Sequence, residues 1–495
     1  MKYLFNTNIK YMTNCGDRFI VTLADVDGKR KKSLMDEFGR ISDDVYYDLK
    51  ARLFDDFFDA QLDYQTNILL DRNGNVIFKG HYEVHPFKDG VALMQYDYRD
   101  RCYFLSETGE VFGEEFADVC GFANGLGVVE LQNGKFCFVD RAMNIVSAEF
   151  EDVNPFTNPE YTSAVIDGKR VIIDRNYQVV SDGFIDENGK KQPYDQIMLI
   201  DENNIIWHKD KQNGVEEPYS YISIDGKKLG KSHKMIHGFC DGISRVQDKE
   251  GTSFVDLSGE YITTEHFLDM GNFSEGFGLV GYFETPDNQV VAIIKKDGSL
   301  LELKSSYFKK QTGYKKYFAE AINPFSDGFA SIMLRANNYQ IVKPDGTVLS
   351  TKYKGLGTFH SGCASFLSET GKTTFLRTNL ERFKKEFDSA YIFEGEFAKV
   401  VYNGRLDAVN TYEIMLSDIS RFVFEIEQNP SSIKNLSDEI LLDENLLKTL
   451  ISYASHLAEL RQDKDFAANA EKIIQKLFDR ALALKTQNGK IQSND

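Results

Sequence analysis

A phenylalanine returns along this chain at a nearly fixed interval, and that constrains the fold more than any other feature. It stands at Phe87, Phe122, Phe156, Phe239, Phe273, Phe325, Phe359 and Phe393. Five of the seven intervals are 34 or 35 residues, and the other two are 83 and 52. The neighbours keep step. Three residues after the Phe comes Gly90, Gly125, Gly242, Gly276, Gly328 or Gly362. Five after it stands a small residue: Ala92, Gly127, Ser244, Gly278, Ala330, Ala364 or Ala398. Seven after it the residue is apolar at Met94, Val129, Val246, Val280, Ile332, Phe366 and Val400. Three before it lies another apolar column, and six before it an aromatic or His, with Ala319 as the exception. Such self-similarity marks an architecture of stacked copies of one small element. The 83-residue gap holds a worn copy, in which Tyr194–Ile197 fits the columns and Ile200 replaces the Phe. The 52-residue interval is one copy with an insertion. Residues 15–71 hold one or two more, which makes ten or eleven copies in all.

One copy reads as three strands. Between Phe122 and Phe156 these are Leu126–Leu131, Phe136–Val139 and Ile145–Phe150, with turns at Asn133-Gly134 and Asp140–Asn144. Asn-Gly and Asp-Gly supply the positive φ that tight hairpins need, and such pairs recur at Asp167-Gly168, Asn188-Gly189, Asp225-Gly226 and Asn403-Gly404. Asp71, Asp186 and Asp256 each stand three residues before a Gly. That suits a type I turn in which the carboxylate accepts a backbone N–H and Gly takes the left-handed position. The 38 Phe and 25 Tyr favour a pleated, half-buried surface. A meander this small cannot bury both faces alone, so the copies must stack. The expected fold is therefore mainly β: an array of about ten antiparallel β-meander repeats over residues 1–415. The array is open or superhelical, with β-propeller-like rings as the alternative.

The pattern changes at residues 416–495, which read as a C-terminal α-helical segment. Ile419, Phe422, Val423 and Ile426 fall at i, i+3, i+4 and i+7, and Pro430 ends that helix. Two further apolar stripes run from Leu447 to Ala458 and from Phe466 to Ala481. The segment is either a helical cap over the open end of the array or a partner or dimer surface.

The repeat resembles the WG, or KWG, repeat family of bacterial proteins. That family's unit reads aromatic-Asp-Asp-apolar-x-x-Phe-x-Asp/Glu-Gly-apolar-Ala-x-Val, then Gly-Lys-Trp-Gly-Phe-Ile-Asp. Phe122–Val129 and Gly134–Asp140 match most of it, as do Phe325–Ala330 and Phe273–Gly276. The resemblance covers roughly residues 60–405. It departs at the naming dipeptide, where Phe136-Cys137 stands, and the single Trp, Trp207, is followed by His208. The resemblance implies a structural or binding role and no shared reaction.

Composition narrows the partner class. A formal charge of −18 disfavours nucleic acid or an anionic membrane surface. Six scattered Cys without a CxxC read as free thiols in a reducing compartment. The N-terminus has no apolar run of signal-peptide length, and no stretch approaches the ~20 apolar residues of a membrane helix. A cytoplasmic location is the expectation.

Apparent chemical motifs dissolve into the register. Gly371-Lys372-Thr373 would end a phosphate-binding loop, but that loop needs Gly where Phe366 stands. Phe366 belongs to the apolar column seven residues after the repeat Phe, so FLSETG at 366–371 is a strand entering a turn. Its twin at 104–109 falls at a different corner of its repeat. His81 with His85, and His233 with His237, would chelate on a helix, but on a strand they lie ~13 Å apart. His81 and His233 occupy the aromatic column and read as packing residues. Asp71–Asn75 lacks the glycine spacing of a calcium loop. No Gly-x-Ser-x-Gly or usable Cys–His arrangement occurs, so no catalytic, cofactor-binding or metal residue is assigned. The remaining candidate is the insertion 303–318, which sets lysines among aromatics: Tyr307, Lys309, Lys310, Tyr314, Lys315, Lys316 and Tyr317. It suits an acidic or phosphate-bearing partner, or it is an elongated hairpin with solvated lysines. The expected function is a non-catalytic scaffold for protein–protein interaction. The alternative is an enzyme or carbohydrate-binding repeat protein with a site on a concave face or channel.

Overall fold

The computed structural model describes residues 2–23, 30–52, 55–63, 66–96, 101–210, 219–267, 269–271, 273–285, 288–303, 322–335 and 337–428. The insertion candidates between Tyr307 and Tyr317 and the two later helical stripes lie outside these residues.

Among the described residues the fold is a series of small antiparallel sheets, most of three or four strands joined in sequence order, with one α-helix, Leu416–Gln428. A six-stranded sheet contains two successive meanders. One meander shows why the columns exist. Strand Asp118–Ala123 pairs with Leu126–Glu130, which pairs with Phe136–Val139. The expected third strand, Ile145–Phe150, is reduced to two isolated bridges, Val139 with Ile145 and Phe136 with Phe150. Between them the Ser147 hydroxyl, rather than a ladder carbonyl, accepts the Phe138 N–H. The missing strand lies upstream instead, and it carries the repeat Phe itself.

The repeat Phe side chains are buried, apart from a half-buried Phe239. Ile200, their stand-in, is buried too. Each hydrophobic cluster spans two neighbouring sheets. Leu126, Val128 and Phe138 of one sheet pack with Val153, Ala164, Val171 and Ile173 of the next, with Phe156 between them. Burying one such large side chain contributes roughly 1.5–3 kcal/mol. The small-residue column marks where these layers are tightest. At Gly127 a Cβ would lie 3.0 Å from Phe104, Phe122 and Val139 at once.

The glycine column is a type I′ hairpin. In six repeats the residue before the Gly has φ of 50–55° and the Gly 76–82°, from Asp89-Gly90 to Ser361-Gly362. Most of the other Asn-Gly and Asp-Gly pairs work differently. At Asn133-Gly134 only the Gly takes positive φ, while the Asn side chain accepts the Lys135 N–H. The Asp-x-x-Gly turns form as expected: Asp186 Oδ1 accepts the Asn188 and Lys190 N–H groups.

The acid of one type I′ turn also reaches the next turn. Asp89 Oδ2 accepts the Gly125 N–H at 2.9 Å, Asp241 Oδ2 that of Gly276 at 2.7 Å, and Glu275 Oε2 that of Gly328 at 2.9 Å. Where Asn124 replaces the acid, its amide donates forward to the Phe156 carbonyl at 2.6 Å. A buried ion pair does similar work upstream. Arg52, its side chain 5% exposed, bonds both Asp55 oxygens and donates to the Val84 and His85 carbonyls.

The chain forms two compact bodies. One comprises Arg52–Asp59 and Gln65–Lys354, and the other Met1–Ala51, Ala60–Tyr64 and Gly355–Asp495. In the second body the first sheet lies beside the last meander. Asn14 Nδ2 donates to the Glu394 and Phe397 carbonyls at 3.1 and 2.8 Å, and Phe19 meets Phe397 edge-on. The helix follows, with Phe424 against Tyr3 and Phe5 and the Ser420 hydroxyl donating to the Gly39 carbonyl. The helix packs on the N-terminal sheet.

That helix starts on a buried carboxylate. Asp407 accepts the Ser417 N–H and hydroxyl and the Ala408 N–H. Burial nevertheless pushes its carboxyl up to about 6, outweighing these bonds, and Asp418 adds repulsion. A carboxyl raised in the folded state stabilises fully below its unfolded value and loses that contribution as pH rises through the folded value. The second body should therefore lose up to about 3 kcal/mol between pH 4 and 7 from this group. Asp407→Asn should flatten that slope in thermal melts across the range. Separately, Asp241→Ala should cost about 1–2 kcal/mol in denaturant titration, and Asp241→Asn less, because Asn tolerates positive φ and keeps an acceptor.

Candidate functional site

Two features of the Arg52–Asp59 and Gln65–Lys354 body stand out beyond packing. The first is a row of β-bulges. The register shifts just before the repeat Phe, between Val119 and Gly121, Ile197 and Leu199, Ile236 and Phe239, and Asn323 and Ser326. A bulge turns its extra residues away from the ladder. Met198 and Leu199 are accordingly 48% and 41% exposed, and His85, Cys120 and Asn154 are also exposed. Successive positions before the Phe are neighbours: a Cβ on Gly121 would lie 2.9 Å from Pro155, and one on Gly271 would lie 3.9 Å from Pro324. In the other body Tyr391 and Ile392 occupy the same bulge position, 53% and 48% exposed. Burial, with help from nearby Asp118 and Glu130, pushes the Cys120 thiol up to about 12, so it is a poor nucleophile.

The second feature is a polar cluster beside a pocket of about 730 Å³. Strand Lys228–His233 alternates its side chains, so Lys231 and His233 share a face. The hairpin turn Asp248–Gly251 and the residues Tyr261 and His266 close around them. Asp248 is almost wholly buried. Its Oδ1 accepts the Glu250 and Gly251 N–H groups at 2.8 and 3.1 Å. Its Oδ2 accepts the Tyr261 hydroxyl at 2.5 Å and lies 3.2 Å from Lys231 Nζ. Lys231 Nζ is also 3.3 Å from Glu250 and stands over the Tyr261 ring. Burial alone would raise the Asp248 carboxyl, but the bonds from Tyr261, the Glu250 amide and Lys231 hold it at about 2. Burial works against the Lys231 charge, yet its bonds to Asp248, Tyr261 and Glu250 raise its pKa above the ordinary lysine value. Burial and the Asp248 charge raise the Tyr261 phenol. At neutral pH these three groups hold fixed protonation states and exchange no proton.

Lys227, Lys228 and Lys231 line the pocket with Glu187, Gly230 and Tyr261, and Lys228 pairs with Glu187 at 2.6 Å. Gly230 and Gly259 cross so closely that a Cβ on Gly230 would lie 2.1 Å from the Gly259 oxygen.

His233 is buried with its ring against Tyr261 at 6.0 Å, and His237 bonds Arg245 at 3.2 Å, so the two do not converge. Asp71 folds its own turn, accepting the Asn73 and Asn75 N–H groups at 2.8 Å. Both FLSETG copies are strands entering a turn, with Ser106 bonded to Thr108 and Ser368 to Thr370. Sequence reasoning missed the Lys231–Asp248–Tyr261 cluster. Its one visible signal was Lys and His alternating in a strand-like run, and nothing in one dimension tied that run to Asp248 or His266.

No family model matches the chain, and no curated protein matches it. Solved structures similar to it include the extracellular domain of the hybrid two-component system BT3049 from B. thetaiotaomicron, at 10% identity and TM-score 0.22, covering 81% of this chain and 62% of that one. PorZ of the type-IX secretion system of Porphyromonas gingivalis matches at 10% identity and TM-score 0.22, covering 81% and 66%. BamB from Moraxella catarrhalis matches at 12% and 0.24, covering 74% and 95%. The chain thus spans less than two thirds of the length of the first two. Scores this low add nothing to the fold read from the chain's own sheets. Among the described residues no helix is long and apolar enough to cross a membrane.

The close backbone crossing is directly testable. Gly230→Ala should destabilise the protein by at least about 2 kcal/mol in denaturant titration. The same change at Gly125, where a Cβ would meet nothing within 4 Å, should cost only its backbone strain, about 1 kcal/mol.

Proposed function

We propose that this protein is a non-catalytic, cytoplasmic scaffold that binds a protein partner along its row of bulges. One observation carries the reading. The frame columns hold closely similar residues from repeat to repeat, while the dipeptide just before the Phe, exposed at His85, Cys120, Asn154, Met198 and Leu199, changes in character. It is His85-Pro86, Cys120-Gly121, Asn154-Pro155, Met198-Leu199, His237-Gly238 and Asn323-Pro324 in the larger body. A constant frame presenting a varied, partly apolar surface is what partner recognition requires of a repeat protein. The insertion 303–318 and the segment 416–495 supply further contacts in this reading. The pocket beside Lys231 favours a second reading, a small-molecule site on a concave surface.

The test is affinity capture with wild-type chain and with Met198→Asp combined with Leu199→Asp. Both side chains are exposed, so thermal midpoints should agree. Recovery of the partner should fall at least about tenfold, as for loss of interface anchors. Equal recovery by the two chains would remove the bulge row from the reading. If deletion of 303–318 alone abolishes capture, the insertion is the docking element.

A further inference from the structure

We propose that Asp248, Glu250 and His266 form a binding site for a divalent transition metal of the zinc class. The inference is independent of the scaffold reading. The three residues offer two carboxylate oxygens and one imidazole nitrogen, all within 4.8 Å of one another. His266 Nε2 stands 3.9 Å from Asp248 Oδ1 and 3.8 Å from Glu250 Oε2. Those separations are too long for hydrogen bonds. Two ligands that each bind one ion at ~2.0–2.2 Å stand ~3.4 Å apart in a tetrahedral site, so each pair that includes His266 would close by about half an ångström.

The imidazole supplies the second observation. Its ring is 31% exposed, but Nε2 itself faces inward, away from solvent, with no hydrogen-bond partner among the described residues. A buried ring nitrogen without a partner is costly, and an ion between it and the carboxylates would satisfy it. The surroundings are set in advance. Two backbone N–H groups fix the Asp248 carboxylate. Gly251 leaves the His266 ring its place, since a Cβ there would come within 3.2 Å of the His266 Cβ. Two carboxylate oxygens and one imidazole suit zinc or manganese, whereas calcium would require six to eight oxygens.

A cation already neutralises these carboxylates. Lys231 Nζ lies 3.2 Å from Asp248 and 3.3 Å from Glu250. Its side chain is 45% exposed and borders the pocket, so it has somewhere to go. The metal and the ammonium are rivals for one pair of charges, and that rivalry makes the site distinguishable from adventitious binding to surface histidines.

Zinc chloride is titrated into tag-free, chelator-treated chain by calorimetry, with calcium chloride as comparator and a thermal midpoint for each variant. Zinc should bind one to one and calcium should not bind. His266→Ala should weaken zinc binding at least about tenfold, and Asp248→Asn likewise if it folds. Lys231→Met should strengthen it by a similar factor. Absence of saturable zinc binding, or wild-type affinity in His266→Ala, would overturn the site. Weaker binding in Lys231→Met would overturn the competition between the two cations.

Discussion

A hydrogen bond donated by the glycine amide of one turn to the acid of the turn before, at Gly125, Gly276 and Gly328, fixes the spacing of those repeats in the larger body. Each type I′ turn forces two residues to positive φ, which is costly for any residue but Gly, Asn or Asp. The turn also leaves a glycine N–H pointing outward. In these three pairs the preceding repeat supplies the acceptor, so the hairpin amide of one meander is satisfied by its neighbour. Sheets that pack through apolar side chains alone could slide past one another. A bond with fixed geometry between consecutive turns removes that freedom and keeps the buried Phe facing its pocket. Glu275, at φ 55°, shows how strong the requirement is. The position keeps an acid that can reach Gly328 even where the residue is poorly suited to the backbone.

The sequence displayed the period, the buried columns and the strand-turn alphabet, because each follows from local chemistry repeated many times. Phe122, Val129 and Gly125 could be assigned burial or positive φ from their columns alone. The strand boundaries were less legible. The residues before Phe122 look too mixed for a strand, since the bulge at Cys120-Gly121 interrupts the alternation by which strands are recognised. Ile145–Phe150 looks apolar enough to pair fully, but a serine hydroxyl takes a ladder position. Long-range pairings left no trace at all. Nothing local joins Lys231 to Asp248, or Arg52 to the carbonyls of Val84 and His85. The helix from Leu416 was legible as a stripe, but its partners, Tyr3 and Phe5, could not be read from it.

The bulge row and the Lys231 cluster answer different physical demands. The bulges lie where the ladder is broken, and side chains such as those of Met198 and Leu199 point out of the core, so they can vary without disturbing it. The cluster is the reverse: Asp248 is buried, ionised and bonded on every side, and a change there is felt by the fold. A surface of the first kind can be retuned residue by residue. A site of the second kind must be kept whole or lost.

The meeting of the first sheet with the last meander has a consequence for how the protein is made. Asn14 bonds backbone atoms 380 and 383 residues further along, so the first sheet translated waits for nearly the last. The intervening repeats can each close on the one before as they leave the ribosome, since their contacts are between sequence neighbours. The N-terminal sheet meets the segment after it through Lys32 and Tyr46, but its other neighbours, Phe397 and Phe424, are synthesised last. Closing so long a loop adds little to the equilibrium cost, because that cost grows only slowly with length. It does make completion of this body the late step of folding. For most of synthesis the chain carries a finished stack behind an unfinished opening strand.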